Sequence, residues 1–355
     1  MAEYLIIINP GSTSTKAALF DGKEKVSEEV VRHDKDELGK FDNVADQFDL
    51  RMQAIDNWIE SLKIDTRDVK AVVGRGAPVK PLEGGAYAIN QQMLDDLKSA
   101  RWENHASNLG AIIAYHLSER FEAPSLISDP VTTDNFTEIA RISGVPEIER
   151  KCRAHTLNLK EVCRREAAKL GKKLEEVDFV AVHMGGGISV AALKGGRVVE
   201  VNDALLGMGP FSPDRAGALP IGELVKLCYS GKFTEKELIL KLAKKSGLLA
   251  YLGESDLLRI EKLIESGDEK AKLYFDAMAY QIAREIGSAA TVLGGKFAAI
   301  VLTGGMANSA MLVAEIRRYI DFLGKVIVVG GEFEMEALAA AGLRYLHGEE
   351  ELKEY

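Results

Sequence analysis

The sequence predicts an α/β protein of two domains with similar topology, each opening on a strand, a polar loop and a hairpin. Three observations carry that expectation. Short apolar runs ending in Gly-rich or polar loops alternate with stretches of helical spacing. At 355 residues the chain exceeds the size at which one hydrophobic core usually stops growing. One segment also recurs without a gap: placing Gly11 on Gly185 sets Asn9 on His183, Ala17, Ala18 and Leu19 on Ala191, Ala192 and Leu193, and Gly22 on Gly196.

Taken in order, Tyr4 to Ile8 reads as a buried strand stopped by Asn9, Pro10 and Gly11. Lys16 to Phe20 resumes extended character, and Asp21 and Gly22 turn it into Lys25 to Val31. Val44 to Leu62 has helical spacing, and Val69 to Gly74 is a strand whose end carries Arg75. Met93 to Phe121 holds helical stretches interrupted near Asn104 and His105, and Ser125 to Ser128 is a strand ending at Asp129. The second half repeats the opening with Phe179 to Met184, the Gly185 to Gly187 loop, Ile188 to Leu193 and a Gly195-Gly196 turn. Helices then dominate: Gly222 to Cys228, Thr234 to Ser246, Leu257 to Ile264, and about Glu269 to Leu293. Strands at Ala299 to Leu302 and Val326 to Val329, with helices at Ala310 to Leu323 and Glu334 to Tyr345, complete the alternation.

Bulk properties narrow the function classes. A 46% hydrophobic content supports a full core, while 28% charged residues and a mean hydropathy of -0.05 fit a water-exposed surface. The net charge of -9 and the lack of a basic stripe argue against nucleic-acid binding, because a phosphate backbone would be repelled. Cys152, Cys163 and Cys228 are odd in number and have no CxxC spacing, so they read as reduced and structural. Met1 to Ile8 carries Glu3 and only a short apolar run, unlike a signal peptide or spanning helix; the expected location is the cytoplasm, with no membrane partner.

Three loops could meet phosphate. Asn9, Pro10, Gly11, Ser12, Thr13, Ser14, Thr15 and Lys16 place four consecutive hydroxyls beside a glycine, with a positive charge at the end. A solvated hairpin loop would have a similar composition. There is no GxxxxGK[ST], which disfavours the P-loop class. His183, Met184, Gly185, Gly186 and Gly187 form the second loop, and Thr303, Gly304, Gly305, Met306, Ala307 and Asn308 the third. One glycine run is weak, since turns and bulges need glycine too; three, each directly after an apolar strand, are harder to dismiss. The third leads into a helix, whose N-terminus can receive an anion.

These residues resemble the two phosphate loops and the adenosine loop of acetate and butyrate kinases, the acetokinase family within the sugar kinase, heat-shock chaperone and actin superfamily. The resemblance extends over essentially the whole chain, with the loops in the family's order. Segments 210–217 and 331–336 look more like butyrate kinases. The resemblance implies two domains of duplicated actin-like ATPase (ribonuclease H-like) topology around a nucleotide cleft, residues 1–153 plus about 337–355 and residues 154–336. It implies Arg75, Arg215, His155 and Asn9 as catalytic residues. Ser12, Thr13, Ser14, Lys16, His183, Gly185, Gly186, Gly187, Asp256, Gly304, Gly305, Met306 and Asn308 would bind ATP or ADP. Arg75, His105 and Asp129 would meet the substrate, and Asp129 with Glu334 would organise Mg2+. Gly186 stands where acetate kinases usually have Asn, and Asn104 or His105 fills the family's substrate-side His position. A homodimer or larger homo-oligomer is also implied.

The chemistry these parts suit is phosphorylation of a short-chain fatty acid, butanoate + ATP giving butanoyl phosphate + ADP, reversible and by direct in-line transfer. The carboxylate is already ionised at pH 7, so no general base is needed. The barrier lies in bringing two anionic groups together, which arginines, a histidine, magnesium and loop amides can lower. Each buried methylene contributes about 0.8 kcal/mol, so butyrate could gain roughly 1.6 kcal/mol over acetate in a large enough pocket. The alternatives are an acetate, propionate or branched-chain fatty acid kinase, a sugar or polyol kinase, and a non-catalytic nucleotide switch.

Overall fold

The computed structural model describes residues 2–355. Their contacts divide the chain into two compact units, Met1–Thr133 with Phe333–Tyr355, and Asp134–Glu332. In the first, strands β1 (Tyr4–Pro10), β2 (Ser14–Asp21), β3 (Glu24–Arg32), β4 (Val69–Arg75), β5 (Ala86–Ala88) and β6 (Ser125–Ser128) form one sheet in the order β3-β2-β1-β4-β6-β5. In the second, β7 (Phe179–Met184), β8 (Ile188–Lys194), β9 (Arg197–Val201), β10 (Ala299–Gly304) and β11 (Val326–Gly330) are ordered β11-β10-β7-β8-β9. Each sheet thus has an antiparallel three-strand meander whose first strand pairs in parallel with a later strand, and that strand with another.

The repeat read from the sequence is the repeat of the fold. Both β1 and β7 stop one residue before the aligned glycines, and residues 11–13 and 185–187 connect them to β2 and β8. Even the register shifts correspond closely, between Leu19 and Phe20 in one hairpin and between Ala192 and Leu193 in the other. The central strands are covered on both faces, which explains their unbroken apolar runs: Leu5, Ile6, Ile7 and Ile8 are all fully buried. In the first unit the helices Asn108–Phe121 and Glu334–Leu346 pack on β1, β4 and β6. In the second, Glu269–Val292 packs on β7, β8 and β9, and its buried Phe275, Met278, Ala279, Ile282, Ala283 and Ile286 follow helical spacing. No helix among the described residues is long and apolar enough to cross a membrane.

Several elements were not anticipated, among them the short helices Lys35–Leu38, Glu138–Arg141 and Gly247–Leu252, the helix Thr156–Lys169 and β5. The helix Thr156–Lys169 buries Leu159, Val162, Cys163 and Ala167 at helical spacing, but Asn158, Lys160, Glu161 and Glu166 are buried with them, so polar residues break up its apolar stripe. Glu161 is compensated by Arg165 at 2.8 Å. β5 has only three residues and is held at the sheet edge by Lys353, which exchanges backbone hydrogen bonds with Ala86 and Ala88. The divisions expected at 153/154 and about 336/337 also differ from those at 133/134 and 332/333. Segment 134–153 groups with the second unit, where Arg150 donates to both carboxylate oxygens of Glu200. Residues 333–336 group with the first, because Glu334 opens a helix packed on that sheet.

One close approach aims a strand end at the candidate site. A Cβ on Gly110, in the helix Asn108–Phe121, would stand 2.7 Å from the Arg75 carbonyl oxygen. Gly110→Ala should therefore cost about 1–3 kcal/mol by overpacking and displace the end of β4. Thermal denaturation together with activity tests this: a melting temperature and a rate both equal to wild type would contradict the account.

Candidate active site

In the first unit the parallel pairing of β1 and β4 sets Ile8 opposite Gly74, so Asn9 and Arg75 leave adjacent strand ends together. The helix beginning at Glu334 adds a carboxylate. Arg75 Nη1 donates to Asn9 Oδ1 at 3.1 Å, Asn9 Nδ2 donates to Glu334 Oε2 at 3.0 Å, and Arg75 Nη2 lies 3.2 Å from Glu334 Oε1. Asn9 is 4% exposed, whereas the Arg75 and Glu334 side chains keep 25% and 20% of their surface accessible.

The loop that follows β1 is a tight turn in which Gly11 N donates to Ser14 O at 2.7 Å. Ser12 and Thr13 are exposed and Ser14 is half-buried. Lys16 lies outside the loop, on β2 directly opposite Asn9, which puts the two side chains on one face of the sheet. Beneath the loop is a residue that sequence reasoning missed. Arg51, fully buried on the helix Phe48–Leu62, donates from Nη1 to Gly11 O (2.9 Å), Ser14 O (3.1 Å) and Thr15 Oγ1 (3.1 Å). The available signal was its position: Arg51 falls in helical register with the buried Ile55, Trp58 and Ile59. Thr15 Oγ1 also lies 2.9 Å from His33 Nε2.

His105 lies in the bend before the helix Asn108–Phe121, its Nδ1 2.7 Å from Ser107 Oγ and accepting from Ser107 N at 3.2 Å. Its neighbour Asn104 is committed elsewhere, donating to Asp42 O at 2.8 Å and accepting from Val44 N at 2.9 Å. Asp129 follows β6 in the left-handed region, φ 41°, which aspartate tolerates better than most side chains. Paired bonds lock it to Gly85: Gly85 N donates to Asp129 Oδ1 at 2.9 Å, and Asp129 N to Gly85 O at 3.0 Å.

In the second unit His183, at the end of β7, is 3% exposed and stacks on His155 with ring centroids 4.0 Å apart. Ser189, buried on β8 opposite His183, places its Oγ 2.9 Å from His155 Nδ1. It is a second residue that sequence reasoning missed, since a lone serine in an apolar strand carries no motif. The glycine loop closes on itself through Gly185 N to Gly187 O (3.1 Å), and Ser212 Oγ donates to Gly186 O at 2.6 Å. Arg215 abuts the loop: a Cβ on Gly187 would lie 2.5 Å from Arg215 Nη1. Nη1 donates to Ala204 O at 2.6 Å, while the buried Nε has no hydrogen-bond partner among the described residues. Burial lowers the Arg215 pKa, against the opposing pull of Asp214 and Asp203.

The third loop begins with Gly304 at φ 89°, where any side chain would collide with the Met184 backbone. Gly305 is exposed, Met306 packs its side chain into the core and so offers only backbone, and Asn308 Nδ2 turns back to Gly305 O at 3.1 Å. Asp256 caps the helix Leu257–Glu265, accepting from Leu258 N at 2.9 Å, with its other oxygen 3.8 Å from Arg259.

The donor set suits a divalent cation that arrives on phosphates. Glu334 spends one oxygen on Asn9 and the other on Arg75, which leaves lone pairs on both. Magnesium needs only one or two protein carboxylates when phosphates and water supply the rest. No group of three or more His, Cys, Asp or Glu side chains among the described residues is arranged to hold a metal ion by itself.

Burial, and secondarily the Arg51 charge, lowers the His33 pKa. Unfolded His33 should then take up its proton first as pH falls below about 6.5, so folding stability should drop through that range until the lowered native value is passed. Melting temperatures from about pH 7 to about pH 5 for wild type and His33→Gln check this, and an equal slope in both would refute it.

Residues 147–342, more than half of the chain, match the model of the acetokinase family. The fold is similar to that of Porphyromonas gingivalis acetate kinase (20% identity, TM-score 0.79, 97% of this chain and 100% of that one). It is also similar to a propionate kinase from Francisella tularensis (18%, 0.74, 96% and 99%) and to Entamoeba histolytica acetate kinase (18%, 0.76, 95% and 98%). The two sheets thereby have duplicated actin-like topology. With three glycine or hydroxyl loops at strand ends and arginines beside two of them, the chain belongs to the acetokinase family.

Proposed function

We infer that this chain is a carboxylate kinase that transfers the γ-phosphoryl group of ATP to a short-chain fatty acid, with butyrate as the substrate of first choice. The observation that supports it best is the buried Arg215 Nε, which has no acceptor among the described residues. An unsatisfied buried donor costs about 1–3 kcal/mol, a cost that an incoming anion relieves. Its place against Gly187 puts that unmet demand beside a phosphate loop.

In this reading Arg75 orients the substrate carboxylate, leaving its partial engagement with Glu334 as the substrate arrives. Asn9 keeps the Arg75 guanidinium in place meanwhile. The loop at Ser12, Thr13 and Ser14 and the Gly185 to Gly187 loop hold phosphate oxygens through N–H and hydroxyl groups. Arg215 and His155, the latter held by Ser189 and stacked on His183, stabilise charge on the transferring group. Glu334 and Asp129 would hold Mg2+, which supplies charge neutralisation at the phosphates. No side chain need abstract a proton, because the nucleophile is already an anion. The commitment of Asn104 to segment 42–44 favours His105 as the substrate-side histidine. The butyrate preference rests on the resemblance of segments 210–217 and 331–336 to butyrate kinases.

Purified protein incubated with ATP, magnesium, hydroxylamine and either acetate, propionate, butyrate, isobutyrate or glycerol decides the class. Hydroxamate formed with the highest kcat/KM from butyrate supports the full reading. Acetate or propionate leading would keep the mechanism and change the substrate, and no hydroxamate from any acid would overturn the reading. Arg75→Ala and Arg215→Ala should each lower kcat by roughly 10²–10³ in protein that still melts cooperatively; near-normal turnover in both would sink the site assignment.

A further inference from the structure

We propose that Arg51 is a positioning residue, which gathers the carbonyl oxygens of the 11–14 loop on the loop's inner side and so turns the Ser12 and Thr13 N–H groups outward as an anion receptor. This rests on reading the loop as a phosphate loop.

The geometry is specific. Arg51 is the largest fully buried side chain among the described residues. Besides its Nη1 bonds to Gly11 O, Ser14 O and Thr15 Oγ1, its Nη2 reaches Ser12 O at 3.5 Å, and Gln47 Oε1 accepts from Nη2 at 2.9 Å and from Nε at 3.2 Å. All of these acceptors are uncharged. In a trans peptide the C=O of one residue and the N–H of the next point in opposite directions. Drawing the Gly11 and Ser12 carbonyls toward Arg51 therefore sends the Ser12 and Thr13 N–H groups the other way. Neither N–H has a hydrogen-bond acceptor among the described residues, and both residues are exposed.

Charge reinforces shape. A guanidinium taken out of water without a carboxylate partner is costly, and burial lowers its pKa. The loop is thin, so the same positive field reaches its outer face and favours an anion there. A planar fork of five donors can hold several carbonyls and Gln47 at once, which an ammonium cannot reproduce. A purely structural role would need only the bonds; the uncompensated charge is what links Arg51 to an anionic ligand.

Two variants separate these roles. Arg51→Lys keeps the charge and loses the fork. Gln47→Glu keeps the fork and supplies the missing carboxylate, cancelling the field at the loop with little change of shape. Each is measured for melting temperature with and without Mg-ATP, and for KM of ATP and of the best acid in the hydroxamate assay. We expect both to fold, to lose most of the ATP-induced rise in melting temperature, and to raise KM for ATP by roughly ten- to a hundredfold, with KM for the acid changed less than about twofold. ATP stabilisation and ATP KM equal to wild type in Gln47→Glu would overturn the proposal, as would parallel losses of stability and of both KM values. If wild type forms no hydroxamate, the activity reading fails, and the ATP-induced melting shift alone still decides the role of Arg51.

Discussion

The Asn9 carboxamide stands between a cation and an anion, accepting from Arg75 at 3.1 Å and donating to Glu334 at 3.0 Å. An amide is a short side chain that does both at once without charge. An aspartate there would repel Glu334, and an apolar residue would take away the bonds that Asn9 makes to Arg75 Nη1 and Glu334 Oε2. The arrangement depends on the pairing of β1 with β4, because slipping either strand by one residue would send its last side chain to the opposite face. Two opposed charges held at 3.2 Å but still a fifth to a quarter exposed are compensated and yet accessible to solvent. That balance suits a site whose charges must exchange partners when ligands arrive.

The duplicated frame is filled with different chemistry in each unit. In the first, a buried guanidinium backs the loop between β1 and β2. In the second, a neutral hydroxyl, Ser212, takes a loop carbonyl, and the arginine stands against Gly187 instead. Asn202 braces the segment that leads to Arg215, accepting from Val190 N at 2.7 Å and donating to Ile188 O at 2.8 Å on β8. A glycine is required at 187 for the close approach of Arg215, just as Gly304 is required where the third loop meets the Met184 backbone.

Most of the frame was legible in the sequence because strands such as Leu5 to Ile8 are apolar on both faces and end in glycine-bearing loops. The alignment of Gly11 with Gly185 located corresponding turns to the residue. The rest was hidden for physical reasons. The helix Thr156–Lys169 pairs its buried Glu161 and Glu166 with Arg165 and Lys169 of the same helix, so its pattern looks solvated. β5 is a three-residue strand paired with β6 and bonded on its other side to Lys353, more than 260 positions away. Arg51 and Ser189 act through residues distant in sequence, Arg51 on a loop some 40 positions earlier and Ser189 on His155, and neither lies in a recognisable motif. Among the site residues, strand ends and the extended character at Lys16 were foreseeable, whereas the burial of the Met306 side chain in the core was not.

The first unit is built from two separated stretches of chain. The helix Glu334–Leu346 lies so close to its sheet that a side chain on Gly342 would overlap Leu5 and press on Val73. On a ribosome, therefore, the amino-terminal sheet emerges long before the helix that covers it, while every strand and helix of the second unit is translated in between. The faces of β1 and β4 that this helix covers are made before it, so they reach their native packing only after the second unit has been translated.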